Sequence, residues 1–393
     1  MTKTVSILGS TGSVGKSTID LILSQPDKFV VQALTAQTNV ALLAEQAVKT
    51  KARYAVIGDE ARYRELADLL AGTDTEAMAG RQAVIEAGAI PAQCVVGAIV
   101  GMAGLEPLLK AVEQGKVVAI ANKEPLVAAG ALVMGAARKY GTKILPVDSE
   151  HNAIFQVFEV ENIESIERLV LTASGGPFRT WDAQAIAMAT PEQAVNHPNW
   201  SMGAKISVDS ASMMNKALEV IEAHYLFNMP ADKIDVLVHP QSIIHSMVEY
   251  ADGSFLAQLG APDMRTPIAY ALAWPERMPT SGQRLELKTL QSLTFEQPDH
   301  VRFPLLPLAY ECLERGQAAC IAFNAANEVA VEAFLKKRIG FADIYNLVRV
   351  VLAETALISP QSLDEILFLD NTVRQTTESY IMSSNRPSKT VGL

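Results

Sequence analysis

The sequence predicts an α/β protein with three parts: an N-terminal doubly wound, Rossmann-like sheet, a central α+β domain and a C-terminal helical bundle. Strand-like and helix-like runs alternate through residues 1–148, which is typical of a parallel sheet covered by helices on both faces. The pair Asp252-Gly253 between two apolar runs then predicts a β-hairpin, and hence antiparallel strands. Helical periodicity dominates the last part of the chain.

Six runs in the first part have the composition of buried strands. They are residues 5–8, 29–35, 54–57, 94–100, 117–121 and 143–147. Helix-forming residues separate most of them, so we expect parallel strands joined by crossover helices.

The segments that follow differ in kind. Residues 169–173 and the hairpin runs predict strands, and residues 212–222 predict a helix; the hairpin runs are residues 243–250 and 254–259. Prolines scattered through residues 275–304 predict a linker. Helix-periodic segments complete the chain at residues 305–315, 321–338 and 341–357. The predicted division is therefore 1–148, 149–274, a linker at 275–304, and 305–393.

Composition limits the possible functions. A chain of 393 residues is expected to form two or three cores. Its 33 Lys and Arg against 43 Asp and Glu give a net charge of −10, which disfavours nucleic acid and anionic membranes as partners. An anionic substrate would therefore need local cations and backbone N–H groups.

The cysteines and apolar runs indicate a cytoplasmic location. Cys94, Cys312 and Cys320 are an odd, scattered set, which suits buried thiols in a reducing compartment. A strand-like run begins at residue 4, with no leader-like segment before it. The longest apolar run, residues 126–137, contains two glycines and is too short to span a bilayer.

A glycine-rich turn, residues 9–15, joins the first strand to the first helix in the pattern G-x-x-G-x-x-G. Glycines there allow the backbone to approach a pyrophosphate, which the N–H groups of the helix would bind. Hydroxyl groups of Ser10, Thr11 and Ser13 also suit phosphate. The spacing is not the commoner G-x-G-x-x-G, so a turn without a ligand is the alternative.

The residues after the second strand bear on the choice of dinucleotide. A site for NAD usually places a carboxylate here to bind the ribose hydroxyls. No carboxylate occurs in residues 35–39, where Gln37, Thr38 and Asn39 are neutral. The sequence therefore favours NADP.

Two carboxylates follow the sixth predicted strand. In extended chain, residues two apart point to the same side, so Asp148 and Glu150 are expected to approach one cation together. The alternative is a helix-capping Asp and a surface Glu.

A polar helix is predicted from Ser210 to Glu219. Asn215 and Glu219 would share one face at i,i+4, with Lys216 beside Glu219. The polar groups suit a phosphate, and Glu219 suits a third metal carboxylate. Three carboxylates favour Mg²⁺ or Mn²⁺ over zinc. The alternative is a surface ion pair on an amphipathic helix.

Histidines do not form a zinc motif. His239 and His245 would lie roughly 20 Å apart in extended chain, so structural roles are expected for both. His197 begins a polar loop, residues 197–203, that contains Trp200. Its position allows Trp200 to be either a buried anchor or a lid residue over a ligand.

Together these motifs closely resemble the 1-deoxy-D-xylulose 5-phosphate reductoisomerase family, over essentially the whole chain. The segments that carry the resemblance are residues 9–15, 121–124, 145–155, 174–178, 197–203, 205–211, 213–216 and 239–242. The resemblance implies a homodimer and a central catalytic domain at residues 149–274. It also implies a rearrangement of the sugar phosphate followed by reduction with NADPH.

The resemblance implies roles residue by residue. NADPH contacts would be Thr11, Gly12, Ser13, Val14, Gln37, Thr38, Asn39, Asn122, Glu124 and Gly203. The metal ligands would be Asp148, Glu150 and Glu219, which with Lys123 form the catalytic group. Substrate contacts would be Lys123, Ser149, Glu150, Ser174, His197, Trp200, Ser210, Asn215, Lys216 and Glu219.

Two departures from the family pattern stand out. Gln37-Thr38-Asn39 replaces a frequent Gly-Lys-Asn, which removes a cation near the expected 2′-phosphate. Pro125 follows Glu124 where Ser is common.

Several interpretations of the chemistry stay open at this level. The rearrangement could follow a retro-aldol/aldol route or a direct 1,2-shift. A simpler NADP-linked dehydrogenase is the rival enzyme, although plain hydride transfer needs no cluster of three carboxylates. A non-catalytic NADP-sensing protein would need neither the carboxylates nor Lys123.

Overall fold

A seven-stranded parallel sheet forms the first part of the protein. The structure is a computed structural model that describes residues 2–200, 202–355 and 358–384. The strands are β1 (Lys3–Leu8), β2 (Phe29–Ala36), β3 (Tyr54–Ile57), β4 (Glu76–Ala79), β5 (Cys94–Gly97), β6 (Val117–Ile120) and β7 (Lys143–Pro146). Their spatial order is β4-β3-β2-β1-β5-β6-β7, with parallel pairing throughout. The order reverses direction at β1 and β5, where open α/β sheets place their ligand crevice.

Helices cover both faces of this sheet, which confirms the doubly wound prediction. They are α1 (Ser13–Ser24), α2 (Val40–Thr50), α3 (Tyr63–Leu69), α4 (Arg81–Ala87), α5 (Leu105–Val112) and α6 (Glu124–Tyr140). Along β1, Ile7 packs into one hydrophobic cluster and Leu8 into the cluster on the opposite face. The alternation of two buried faces explains why the strands are apolar throughout.

A second, four-stranded sheet organises the central part. Its strands are β8 (Ile166–Ala173), β9 (Ile234–Val238), β10 (Ile244–Tyr250) and β11 (Phe255–Leu259). The order is β11-β10-β8-β9; β10 is antiparallel to both of its neighbours, and β8 and β9 are parallel. The expected hairpin is present, and Gly253 adopts the left-handed φ of 84° that its turn requires. Helices of this part are α7 (Ser149–Val157), α8 (Ala183–Ala187), α9 (Pro191–Ala194), α10 (Ala204–Ala211), α11 (Met214–Phe227) and α12 (Arg265–Ala273).

The C-terminal part is helical, as predicted. It contains α13 (Leu305–Arg315), α14 (Gln317–Leu335), α15 (Phe341–Glu354) and α16 (Leu363–Ser384). The sequence did not predict α16, and it extended α15 to 357; residues 356 and 357 lie outside the described residues, as do residues 385–393. Among the described helices, only α14 is long and apolar enough to cross a membrane, and 78% of its most apolar window is buried inside the protein. That burial is typical of a core helix.

The parts share cores across the predicted boundaries. Leu171 of β8, Leu218 of α11 and Phe323 of α14 belong to one hydrophobic cluster, so the central and C-terminal parts are built around the same core. Helix α12 precedes residue 275, yet it packs Ile268 and Leu272 into the core of the first sheet. Within residues 275–304, Glu296 exchanges two backbone hydrogen bonds with Val238 and so extends the edge of β9.

Helices α6, α11 and α14 meet where the three parts join. Gly130 of α6 lies against the ring of Tyr225 of α11 so closely that an added Cβ would overlap it. The Tyr225 hydroxyl donates to Gln317 Oε1 at 2.9 Å, and the Gln317 amide donates to the Val127 carbonyl at 2.9 Å. The absence of a side chain at Gly130 is therefore what allows this close crossing.

Gly130→Ala is expected to destabilise the protein by about 1–3 kcal/mol, because the methyl group must displace the Tyr225 ring in a close-packed junction. Gly135 on the same helix is the matched control, since an added Cβ meets nothing within 4 Å. Gly135→Ala should stabilise by about 0.5–1 kcal/mol. Urea unfolding of the two variants measures both effects, and equal shifts would contradict the role assigned to Gly130.

Candidate active site

A cavity of about 530 Å³ opens between the carboxyl edge of the first sheet and the second sheet. It is lined by many of the residues singled out in the sequence: Ser13, Val14, Lys123, Asp148, Ser149, Glu150, Ser174, His197, Trp200, Ser210, Asn215, Lys216 and Glu219. Residues as distant in sequence as Ser13 and Glu219 thus face one space, because the N-terminal ends of α1, α7 and α11 converge there.

Two buried lysines hold three carboxylates together at one end of this cavity. Lys123 Nζ lies 2.6 Å from Asp148 Oδ2 and 3.1 Å from Glu219 Oε1. Lys216 Nζ lies 2.7 Å from Glu150 Oε1 and also pairs with Glu219. We call these five residues the reactive cluster.

The geometry expected for Asp148 and Glu150 was wrong. Helix α7 begins at Ser149, directly after Asp148, so Glu150 lies in the first turn of a helix and not on an extended strand. The chain turns into the helix because β7 already ends at Pro146. The two carboxylates consequently pair with different lysines, and Glu219 bridges them through its two oxygens.

The polar helix predicted from residue 212 is also corrected. Helix α10 ends at Ala211, and Met213 adopts a left-handed φ of 61° before α11 begins at Met214. This break places Ser210 at the end of one helix and Asn215 at the start of the next. Within α11 the expected spacing holds: the Asn215 amide donates to Glu219 four residues later.

Charge balance determines the ionisation of the reactive cluster. Burial opposes the charge of Lys123, but the nearby side chains of Asp148 and Glu219 outweigh it and raise the pKa of Lys123 well above its usual value. Burial disfavours a charged Glu150, but the Lys216 ammonium prevails and lowers the pKa of Glu150 to about 2. The site is thus built to stabilise positive charge between carboxylate oxygens. Such an oxygen-only donor set suits Mg²⁺ or Mn²⁺.

His151 and Glu222 lie behind the reactive cluster and were missed in the sequence. His151 Nε2 is 2.9 Å from the Glu219 carbonyl oxygen, so this nitrogen donates. Its Nδ1 then faces Glu222 Oε2 at 3.3 Å, and both side chains are fully buried. The available signals were weak: His151 follows Glu150, and Glu222 is one helical turn beyond Glu219.

Four residues of the predicted lid loop, His197, Asn199, Trp200 and Met202, line the cavity. We call the described residues of this loop, 197–200 and 202–203, the lid. His197 Nδ1 accepts hydrogen bonds from the backbone N–H groups of Asn199 at 3.2 Å and Trp200 at 3.0 Å. Its Nε2 therefore carries the proton and donates to Ser174 Oγ at 3.0 Å. Burial lowers the pKa of His197, which favours this neutral form.

The lid interpretation of Trp200 has geometric support. Trp200 is only partly buried, and it lines the cavity with its ring centroid 6.2 Å from that of His245. Ser201 lies outside the described residues. His245 also lines the cavity, contrary to the structural role expected for it, whereas His239 is buried against Phe295.

Two glycines bring the predicted phosphate-binding side chains together. Gly175 and Gly176 follow β8 with φ of 83° and 67°, and a Cβ on Gly176 would lie 2.5 Å from the Ser210 carbonyl oxygen. The end of β8 can therefore approach α10, which places Ser174 and Ser210 in the same cavity. Asn215 and Lys216 complete the polar wall.

The glycine-rich turn is closely packed. Gly9 has φ of 91°, and a Cβ there would lie 2.6 Å from the Ala98 carbonyl oxygen of the chain after β5. Thr11 and Gly12 form the turn, and α1 begins at Ser13 without a side-chain cap on its N–H groups. Those N–H groups are oriented to bind an anion at the point where the strand order reverses.

Four other predicted cofactor contacts lie in the chain after β2 and after β6. Gln37 and Thr38 are exposed after β2, and Asn39 caps α2 by accepting from Leu42 N at 3.2 Å. The buried Asn122 amide donates to the Gly101 carbonyl at 3.0 Å.

The last two predicted cofactor contacts lie at the starts of α6 and α10. Glu124 is buried at the start of α6 and pairs with Lys205. Gly203 ends the lid and directly precedes α10.

Glu222→Gln tests the buried carboxyl behind the cluster. Burial, helped by the charge of Asp148, raises the pKa of Glu222 well above its usual value. The parent therefore loses stability as pH rises from about 4.5 towards that raised pKa, at up to about 1.4 kcal/mol per pH unit, whereas the amide cannot ionise. In urea unfolding of metal-free protein, the free energy of unfolding of the variant should therefore rise progressively relative to that of the parent between about pH 5 and pH 8.

The control for this pH dependence is Glu332→Gln, which alters an exposed pair on α14. Its difference from the parent should stay constant over the same range. A constant difference for Glu222→Gln as well would show that this carboxyl is ionised in the folded protein.

Known proteins resemble the chain along nearly its whole length. Models described as 1-deoxy-D-xylulose 5-phosphate reductoisomerase, its C-terminal domain, and DXP reductoisomerase C-terminal domain match residues 5–130, 144–227 and 259–376 respectively. The 1-deoxy-D-xylulose 5-phosphate reductoisomerase of Rhodospirillum centenum is 55% identical over 387 residues, covering 98% of this chain and 96% of the relative. That of Zymomonas mobilis is 53% identical, covering 95% and 96%.

Two solved structures have the same fold. The Zymomonas mobilis reductoisomerase in complex with NADPH superposes with a TM-score of 0.92 at 50% identity, covering 98% of this chain and 100% of the other. A DOX-P reductoisomerase in complex with NADPH, fosmidomycin and magnesium superposes with a TM-score of 0.94 at 42% identity and the same coverage.

Proposed function

The chain belongs to the 1-deoxy-D-xylulose 5-phosphate reductoisomerase family, and we propose that the cavity between its two sheets is the active site of that reaction. The activity is NADPH-dependent and divalent-metal-dependent. It rearranges and reduces 1-deoxy-D-xylulose 5-phosphate to 2-C-methyl-D-erythritol 4-phosphate, in non-mevalonate isoprenoid biosynthesis. The observation that supports the location is the reactive cluster, where charged side chains from three elements converge in a buried site.

The divalent ion would be held by Asp148, Glu150 and Glu219. These carboxylates already surround two ammonium groups, so the place favours positive charge. When bound there, a divalent ion supplies Lewis-acid polarisation of substrate oxygens. Lys123 Nζ also contacts Asn215 Oδ1 at 2.7 Å, and this ammonium would donate to the oxygens at the reacting end of the substrate.

The substrate phosphate would lie against Ser174, Ser210, Asn215 and Lys216. Their hydroxyl, amide and ammonium donors share one wall of the cavity, which suits an anionic group bound by local cations in a chain of net charge −10. His197 would reach the same group, since its Nε2–H already points at Ser174. Trp200 would then exclude water from above, with Ser149 near the reacting end.

NADPH would bind along the carboxyl edge of the first sheet. The N–H groups of the turn at residues 11–14 would receive the pyrophosphate, and Gln37, Thr38 and Asn39 would surround the adenosine end. The cofactor supplies a hydride from its nicotinamide ring. Ser13 and Val14 line the cavity that also holds the reactive cluster, so the two ligands would meet there.

We also propose that the protein is a cytoplasmic homodimer. Strand β11 lies at an edge of the second sheet and exposes Phe255, Leu256 and Leu259, which are 47%, 41% and 40% accessible. An apolar edge strand of this kind is a template for pairing with another chain. The three free cysteines are buried, which suits a reducing compartment.

Glu219→Gln tests the metal assignment. Removing a charged ligand should lower turnover on the order of 10³-fold, because several kcal/mol of charge stabilisation are lost. NADPH binding should persist, since Glu219 is not one of the predicted NADPH contacts. Steady-state kinetics with Mn²⁺ and NADPH titration by calorimetry measure the two effects, with Glu332→Gln as control. Near-normal turnover, or full activity after exhaustive chelation, contradicts the assignment.

Thr38→Lys tests how the 2′-phosphate is recognised. The side chain of Thr38 is exposed, so a new ammonium at this position should add a charge-assisted contact to NADPH. We expect about a tenfold gain in the kcat/KM ratio of NADPH over NADH, mainly through tighter NADPH binding.

The control for cofactor preference is Thr372→Lys, which adds the same charge at an exposed position of α16. It should leave the ratio unchanged at fixed ionic strength. If Thr38→Lys also leaves the kcat/KM ratio of NADPH over NADH unchanged, the 2′-phosphate does not bind beside Thr38. If the parent protein prefers NADH, the proposed recognition of the 2′-phosphate by residues 37–39 is wrong.

A further inference from the structure

A buried ion-pair network adjoins the cofactor edge of the cavity but lies outside the reactive cluster. Lys205, in the first turn of α10, places its Nζ 2.7 Å from Glu124 Oε1 and 2.8 Å from Asp209 Oδ2. The side chains of Glu124 and Asp209 are 7% and 1% exposed, and that of Lys205 is 24% exposed. Burial opposes its charge, but the carboxylates of Asp209, Glu124 and Glu328 raise the pKa of Lys205, so it remains an ammonium.

The network joins two parts of the protein through the Lys205 ammonium. Asp209 Oδ1 accepts from the Asn327 amide at 2.8 Å, which ties α10 to the buried helix α14. Glu124 begins α6, directly after the end of β6 in the first sheet. A single ammonium thus connects the cofactor-binding sheet to the C-terminal core.

The lid is attached to the same helix. Gly203, the last lid residue, precedes α10, and its carbonyl oxygen accepts from Ser207 Oγ at 3.0 Å. The end of the lid therefore follows α10, and Lys205 lies two residues beyond it. Any displacement of the start of α10 moves the lid and the ammonium together.

The turn at residues 122–124 serves both ligand sites. Asn122 Oδ1 accepts from Glu124 N at 3.1 Å, which fixes the turn on its cofactor side. Lys123, between them, reaches into the reactive cluster on the substrate side. A shift of Glu124 would therefore be felt by Lys123 and, through Lys205, by the lid.

We propose that Lys205 is a positioning residue that couples NADPH binding at residues 122–124 to closure of the lid over the substrate. Separating the ammonium from Glu124 would leave a buried carboxylate without its partner, which is strongly unfavourable. The turn at residues 122–124 and the start of α10 therefore move as one unit. A cofactor that fixes Glu124 consequently also favours the closed lid. This inference rests on the proposed function, in particular on Glu124 as a cofactor contact.

The coupling is measured as a ratio: the dissociation constant of a lid-covered ligand without NADPH divided by its dissociation constant with NADPH. By linkage, NADPH must tighten a lid-covered ligand by the same factor by which that ligand tightens NADPH. The probe is a phosphonate-hydroxamate substrate analogue, titrated by calorimetry at saturating Mg²⁺ with and without NADPH. The wild-type protein should bind it about tenfold more tightly with NADPH present, within the usual range of coupling.

Lys205→Met should bring this ratio close to one while changing the affinity without NADPH much less. Lys205→Gln keeps the length of the side chain and serves if the methionine variant does not fold. Glu124→Gln should reduce the ratio to a similar extent, and the double variant should lose no more than either single one, because both act through one contact. Lys336→Met, in an exposed pair with Glu332, is the matched control and should keep the wild-type ratio.

A purely structural ion pair would give a different result. Lys205→Met would then lower the melting temperature but leave the ratio at its wild-type value, which would overturn the inference. The inference also fails if the wild-type protein binds both ligands independently. If the wild-type protein binds neither NADPH nor the analogue, the proposed function itself fails.

Discussion

The packing of two buried lysines among three carboxylates is the constraint on which the rest of the site depends. Buried charges are tolerated only when they are paired and hydrogen-bonded, so the elements that carry them must meet. Lys123 precedes α6, Asp148 precedes α7, and Lys216 lies in the first turn of α11. The N-termini of these three helices and of α1 therefore face one cavity, and their partial positive charges favour an anionic ligand in a protein that is acidic as a whole.

Strong periodicity made most of the fold predictable. The six expected strands are all present in the first sheet, since their apolar runs are buried on two faces and leave little ambiguity. The seventh, β4, was missed because its residues Glu76–Ala79 are few, half-exposed and free of β-branched side chains. Helix α16 was missed because its apolar residues are interrupted by many polar ones, and its stability comes from packing on α14.

The site was predictable in membership more than in geometry. Residue type and spacing singled out Asp148, Glu150, Lys216 and Glu219, and family resemblance added Lys123. The alternation assumed for Asp148 and Glu150 required a strand, however, and the structure has a helix from Ser149. The left-handed Met213 between α10 and α11 has no signal in the sequence, because a non-glycine residue with positive φ is held by its surroundings. Partners distant in sequence, such as Lys205 and Glu124, are set by the fold alone.

Shared elements explain how one cavity could serve two chemical stages. The turn at residues 122–124 contacts the first sheet, the reactive cluster and α10, while α12 joins the central part to the first core. Gln317 links α6 to α11 and α14 through Val127 and Tyr225. Packed cores resist gradual deformation, so these shared elements hold the cofactor edge and the reactive cluster in a fixed relation. His197 likewise holds the backbone of Trp200. Under the proposed function, rearrangement and reduction would therefore take place in the same space, with the cofactor edge and the carboxylates fixed in relation to each other.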